Sequence, residues 1–332
     1  MTSRRSWMLG VALVAVGCGD PVGPALDAAS VGGDGGSDAR VFADSGREAD
    51  AATTEDDAGT LGPDARATGA YASTPVALGV LTGVAETSGI VASRDHANVL
   101  WVHNDSGNPE QIFAIDRDAN VIATITITGA TNQDWEDIAI VPVDGVDLLY
   151  IGDHGDNVAR TSGGASSSRD GYVRLYRVEE PDPADGDATV AATEIRLVYP
   201  DGPHDCEALF VDPNSADVYL LTKVDSGMAQ LYRGSALAIP GPNTLVHVAS
   251  YDMLSVTGAD MSSDGARLVI RNYAQIRVFD VTTDLATALT TTPLRPSTRG
   301  SAAEAIAFGP SSYDLYTISE GDPATLFEIA WE

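Results

Sequence analysis

Five short segments begin on or just behind a carboxylate and continue as an apolar run. They are ETSGIVAS at Glu86, WEDIAIVP at Glu136, CEALFVDP at Glu207, GADMSSDG at Asp260 and AEAIAFGP at Glu304. A second apolar run follows in each and ends on polar groups: Asn104–Asp105, Asp153 to Asn157 (with His154 and Asp156), Lys223 to Asp225, Arg271–Asn272, and Ser319–Glu320. Carboxylates that converge repel one another unless they are protonated, paired or metal-bound. An oxygen-only donor set suits calcium, a hard cation that accepts irregular coordination. Glu86, Glu136, Glu207, Asp260 and Glu304 are therefore read as ligands of one calcium ion. The plainer alternative makes each acid an acceptor for exposed backbone amides at a strand start. That accounts for one acid per segment but not for the second polar set. Zinc would want imidazole beside carboxylate. His103, His154 and His204 lie near these runs, but no HxxxH or HExxH spacing is present, so Zn2+ is the poorer fit.

Basic groups among these positions are few. Lys223 is the only lysine of the chain, Arg271 holds the matching place in the next segment, and Arg160 closes GDHGDNVAR. Beside bound metal they could clamp a small anionic ligand such as a phosphate ester, or each could pair with a neighbouring acid. The expected ligand-binding set is Asn104, Asp105, His154, Asp156, Arg160, Lys223, Arg271 and Glu320. Neither a GxSxG elbow nor a Gly-rich phosphate loop is present, so serine-hydrolase and P-loop chemistry have no support.

The elements that must position these groups are strands. Alternating and β-branched residues between polar turns (RDHAN, VDGVD, NSAD, SDGA, SSYD) recur through five units, each with a third run such as QIFAID or AQLYRG. Repeated small antiparallel sheets of this length build β-propeller blades, whose first strands line a central channel. An antiparallel hairpin sets the start of its first strand beside the end of its second, which would put both polar sets on one mouth of the channel. The last unit ends after three strands, and STPVALGVLTGV precedes the first unit as an orphan strand. The expected fold is all-β: a propeller of five four-stranded blades closed by that N-terminal strand, which removes open sheet edges. The long Glu136–Glu207 interval holds TSGGASSSRDG, read as a loop insertion; a blade hidden there would make six.

The N-terminus reads as an export signal over residues 1–18: Arg4 and Arg5, then the short apolar MLGVALVAV. That run is too short for a spanning helix. Val16-Gly17-Cys18 resembles the lipobox of bacterial lipoproteins, with Cys18 as the lipidated residue. Residues 19–70, mostly Ala, Gly, Asp and Ser, have too little apolar surface to fold and are read as an acidic tether. The tether holds 11 acids and three arginines and the signal two arginines, which leaves −23 of the chain's −29 on the 71–332 propeller. Such a surface repels nucleic acid and anionic membranes and attracts cations. With Cys18 lipidated, Cys206 has no partner in the chain. The expectation is a monomer outside the cytoplasm, attached to the cell envelope through lipid alone, with a small anionic ligand or a protein as its partner.

ETSGIVAS, DWEDIAIV and CEALFVDP with their following strands resemble secreted bacterial propellers of the SdiA-regulated and esterase-like phytase types, over roughly residues 76–332. The resemblance implies a propeller architecture. The similar proteins include calcium-dependent phosphoesterases and proteins without known chemistry, and an acid-lined five-bladed ring also resembles the calcium-activated nucleotidase design. Two functions follow: a calcium-binding ligand module, or a metal-dependent phosphoric-ester hydrolase. The lipobox reading has a direct test. Cys18→Ala should move the protein from the membrane to the soluble fraction and remove a lipid mass shift; a membrane-bound variant would refute it.

Overall fold

Short runs of Val, Ile, Leu and aromatic residues between Gly, Asp and Asn turns favour a pleated, buried surface over a helix. The computed structural model describes residues 69–298, 303–310 and 313–332; Cys18 and nearly all of the expected tether lie outside the described residues. The first strand, β1 (Val76–Leu81), is used last. Blade one runs outward as β2 (Thr87–Ala92), β3 (Leu100–Asn104), β4 (Gln111–Ile115) and β5 (Val121–Thr128). Blade two is β6 (Trp135–Val143), β7 (Val146–Asp153), β8 (Val173–Glu179) and, after the excursion strand β9 (Ala188–Ala191), β10 (Thr193–Val198). Blade three is β11 (Cys206–Val211), β12 (Val218–Thr222), β13 (Ala229–Gly234) and, after β14 (Asn243–Thr244), β15 (Val246–Tyr251). Blade four is β16 (Val256–Met261), β17 (Arg267–Asn272) and β18 (Ile276–Asp280). Blade five is β19 (Ala305–Phe308), β20 (Leu315–Ile318), β21 (Ala324–Ile329) and then β1, which pairs antiparallel with β21. This is the expected five-bladed propeller with its N-terminal closing strand.

Five hydrophobic clusters hold the ring, and each joins two neighbouring blades. Ile90 and Val102 of blade one meet Ala305 and Leu326 of blade five. Trp101 meets Ile138 and Ile151 of blade two. Leu175 and Ile195 meet Leu209 and Leu220 of blade three. Phe210 and Leu231 meet Leu268 and Phe279 of blade four. Val269 and Val278 meet Ile306 and Leu315 of blade five. Every interface is filled, so the ring closes through packing as well as through β1.

Blades one and two are wider than expected, and blade four is narrower. The β9 excursion leaves blade two and adds a parallel fifth strand to β5 of blade one. In the same way β14 leaves blade three and pairs in parallel with β10 of blade two. Blade four has only the isolated bridge Val278↔Leu294 in place of a fourth strand. The long Glu136–Glu207 interval holds β9 and a one-turn helix, α1 (Asn157–Ser162), leading into the Gly/Ser loop; there is no sixth blade. Beyond β1, Ala70 and Glu332 exchange two backbone hydrogen bonds of 2.8 Å, and Tyr71 packs edge-on against Trp331, centroids 4.9 Å apart. No helix among the described residues is long and apolar enough to cross a membrane.

The inner strands carry the feature that places the site. β2, β6, β11 and β16 each have a bulge at their start, between Thr87 and Gly89, Trp135 and Asp137, Cys206 and Ala208, and Val256 and Gly258. A bulge re-aims the extra residue, here Ser88, Glu136, Glu207 and Thr257. Just inside it, Asp137 Oδ2 accepts from Leu209 N (2.9 Å) and Ala259 N (3.3 Å), and Oδ1 accepts from Ile138 N (2.9 Å). One carboxylate thus ties the inner strands of blades two, three and four. Deleting residues 19–68 should leave the melting temperature within a degree or two of the full chain. Deleting residues 19–84, which removes β1 and Val84, should abolish cooperative unfolding; equal tolerance of both deletions would refute closure through β1.

Candidate metal centre

Three of the five leading acids share one structural position. Glu136 and Glu207 fill the bulges of β6 and β11, and Glu304 directly precedes β19 at the matching place. Hydroxyls mark the same place in the other two blades. Ser88 Oγ donates to the Glu136 carbonyl (2.8 Å), and Thr257 Oγ1 donates to the Glu304 carbonyl (2.9 Å). Glu86 lies two residues before Ser88, exposed, and its Oε2 accepts from Asn108 Nδ2 (2.8 Å). Asp260 lies three residues beyond Thr257, toward the other end of the channel, in a crevice with Arg94, Ile140 and Pro310. There its Oδ2 accepts from Phe308 N (2.8 Å), which ties blade four to blade five. It does not join the carboxylates at the mouth.

The acids that gather in threes at the mouth belong to the first three blades. Carboxylate oxygens of Asp105, Asp134 and Glu136 lie within 4.8 Å of one another, and so do those of Glu136, Asp205 and Glu207. Glu136, only 4% exposed, is common to both groups. Its Oε2 is 3.3 Å from Ser88 Oγ, while Oε1 accepts no hydrogen bond among the described residues. Gly155 forms the wall: a Cβ there would stand 2.1 Å from Glu136 Oε1 and 2.6 Å from an Asp134 oxygen. Any larger residue there would displace the ends of both carboxylates. Asp134 and Asp205 each stand two residues before a bulge glutamate, in DWE and DCE. That D-x-E spacing is visible in the sequence, but a search for one acid per unit passes over it.

Burial and mutual repulsion raise the proton affinity of this cluster. Glu136 is pushed well above the ordinary carboxylate range by burial, then by Glu207 and Asp105. Asp134 is raised to about 6 by burial and by Asp105. Burial also raises Asp105 and Asp205. It raises Glu207 against the pull of Lys223. Glu320, exposed at the rim, is raised to about 7 by desolvation and by Glu304. None of Asp105, Asp134 and Glu136 has a basic nitrogen in ion-pair contact among the described residues. Buried and half-buried carboxylates held this way are a donor set that could bind a metal ion.

The other expected ligand-binding residues divide by surroundings. Lys223 Nζ donates to Glu207 Oε2 (2.5 Å) and to Tyr273 Oη (3.1 Å). Arg160 Nη1 lies 3.3 Å from Asp205 Oδ2 and 3.6 Å from Glu207 Oε1. Both therefore meet the second carboxylate group. Arg271 does not: it is fully buried, donates to Thr317 Oγ1, and is lowered to about 9 by burial. His154 is also fully buried, lies with Nδ1 2.8 Å from the Cys206 carbonyl, and is lowered to about 3 by burial, so it links blades two and three as a neutral ring. Asn104 Oδ1 accepts from Glu86 N (3.0 Å). Asp156 caps α1 through Ala159 N (3.0 Å). Against burial, hydrogen bonds from Ser167, Ser168 and Ala159 hold its carboxyl below the usual range.

Arg169, absent from the sequence reading, comes from the Gly/Ser loop. It is buried and donates from Nη1 to Asp153 Oδ1 (2.7 Å) and from Nε to the Gly155 carbonyl (2.8 Å). The insertion thus fixes the Gly155 wall of the cluster. A third acidic group, Asp95, Asp147 and Glu180, lies apart from the mouth, and Glu180 Oε1 there accepts from Trp101 Nε1 (2.6 Å).

Neither a family model nor a curated protein matches the sequence. Among solved structures, a gluconolactonase of Xanthomonas campestris is similar at 14% identity with a TM-score of 0.45, over 79% of this chain and 98% of that one. A glucose dehydrogenase is similar at 12% identity with a TM-score of 0.46, over 77% of this chain and 99% of that one. Similarity this distant carries nothing about activity.

The raised carboxylates set the pH dependence of the metal-free protein. Their folded affinity for protons exceeds the unfolded one, so the stabilisation is complete below about pH 4, the unfolded value. It is lost as pH rises through about 6 for Asp134 and about 7 for Glu320. In chelator the melting temperature should fall by several degrees between pH 5 and pH 8, and Glu136→Gln should flatten that fall. A wild-type profile flat over this range would contradict the assigned shifts.

Proposed function

We propose that this protein is a cell-envelope module whose propeller binds a divalent cation, calcium by donor type, at the carboxylates shared by blades one, two and three. The observation that carries this reading is the position of Glu136. It is buried, common to two acidic groups, and keeps one oxygen without a hydrogen-bond donor among the described residues. A cation there offsets the repulsion that otherwise forces protons onto the cluster. Asp105, Asp134 and Glu136 would form one side of the coordination shell, and Asp205 and Glu207 the other. The lipid at Cys18 and the acidic tether would carry the propeller away from the membrane, which suits a module that captures a ligand. Arg271 lies apart from Lys223 and Arg160, so the three cations do not converge on one open coordination position, and the binding role is favoured over phosphoester hydrolysis.

Calcium should bind in calorimetry and raise the melting temperature. At a hundredfold excess over Kd a ligand specific to the folded state adds about 2.7 kcal/mol, or several degrees for a domain of this size. Glu136→Gln should weaken calcium at least about tenfold, whereas Asp260→Asn, remote from the mouth, should leave calcium affinity unchanged. Identical melting curves in calcium and EDTA would refute the cation site. Calcium-stimulated turnover of a generic phosphate ester would replace the binding role by the hydrolytic one.

A further inference from the structure

A cavity of about 470 Å3 opens beside the carboxylate cluster, between the loop that follows α1, the segment from Asp201 to Asp205, and the end of β12. Arg160, Lys223 and Asp205 line it, and the first two are the cations paired with the Glu136–Asp205–Glu207 group. Asp205 therefore belongs to both places. Its side chain is fully buried, and Oδ2 has Arg160 Nη1 at 3.3 Å but no hydrogen-bond donor among the described residues.

With all five groups ionised, Glu136, Asp205, Glu207, Arg160 and Lys223 carry a net charge of −1. In that state Lys223 and Arg160 are engaged by the acids, and the cavity repels anions. A divalent cation adds two positive charges: these five groups go from −1 to +1, and with Asp105 and Asp134 of the same shell counted the cluster goes from −3 to −1. It also competes directly with Lys223 for Glu207 Oε2 and with Arg160 for Asp205 Oδ2. Lys223 has another support in place, because Nζ already reaches Tyr273 Oη at 3.1 Å and lies 5.3 Å from the centre of its ring. The remaining acids of the cavity are partnered or solvated. Asp201 is occupied by Tyr232 Oη (2.8 Å) and lies 3.1 Å from His204 Nε2, and Asp225, whose Oδ2 is 3.8 Å from Arg160 Nε, is 67% exposed, so solvent screens that pair.

Resting on the cation site proposed above, we infer that this cavity is an oxyanion site gated by the cation: calcium draws Glu207 and Asp205 away from Lys223 and Arg160, which then hold a carboxylate or phosphate group. The coupling is reciprocal, so the anion tightens calcium by the same factor. It also has a sign that a merely structural lysine would not give. Removing Lys223 removes a competitor for Glu207, so calcium should bind more tightly while the anion is lost.

The test is calorimetric titration of inorganic phosphate, and separately of acetate, into the full chain, with saturating calcium and in EDTA. Phosphate is kept below the solubility limit of its calcium salt. Binding of either probe at least about tenfold tighter with calcium supports the gate, within the usual 5- to 150-fold range of such couplings. The two probes distinguish a phosphate-type from a carboxylate-type ligand. Lys223→Met should tighten calcium about threefold or more and reduce the anion's calcium dependence to less than about twofold. Arg160→Gln, a second variant at the other end of the pair, should weaken the anion in the same way. Calcium binding without anion binding, or full coupling retained in both variants, would overturn the inference. Absence of calcium binding would instead overturn the cation site beneath it.

Discussion

The ring depends on one buried carboxylate. Asp137 holds amides from the inner strands of blades two, three and four, and burial keeps its proton affinity well above the ordinary range despite those bonds. An inner strand at a channel has amides that no partner strand can take. Leaving them unpaired would cost about 1–3 kcal/mol each. Asp137 satisfies two of them across the channel, and this sets how closely the three strands approach. Glu136 stands directly before it, and Glu207 stands two residues before the Leu209 amide it accepts from, so the spacing of the two glutamates follows from the same contact.

From that spacing comes the character of the mouth. Two blades bring a D-x-E segment each, and blade one adds Asp105 from the end of β3. The cluster is therefore off-axis, at the junction of blades one to three. Blades four and five present Thr257 and Glu304 instead. Glu304 faces Glu320, Tyr273 and, at longer range, Arg271. A fivefold architecture thus supports a site without fivefold symmetry.

The architecture was legible in the sequence because strand length, β-branching and turn residues all report on local structure. The closing role of STPVALGVLTGV was legible as well, since the last unit lacked a strand. The site was only partly legible. Glu136, Glu207 and Glu304 could be aligned by residue type, but Asp260 was matched to them by its charge. The true counterpart is Thr257, whose hydroxyl makes the same inter-blade bond as Ser88. Arg169 and the Gly155 wall were invisible because they depend on the path of a Gly/Ser loop, which residue types do not dictate. The excursions β9 and β14 were missed for a related reason. Each is a short strand that finds its partner in a different blade, and periodicity within a blade says nothing about that.

The seam between the two ends of the described chain has a mechanical side. Any pull on the polypeptide before Gly69 enters the ring through the Ala70–Glu332 pair, and only then through β1. The pairing is antiparallel, so a load directed away from the ring would part these bonds one after another rather than all together. The first of them are braced by Tyr71 against Trp331, and the guanidinium of Arg267 sits 3.9 Å from the Trp331 ring and 4.0 Å from that of Tyr313. The propeller thus places aromatic and cation–π packing where traction on the N-terminus would first be felt, and the channel mouth is separated from it by the width of a blade.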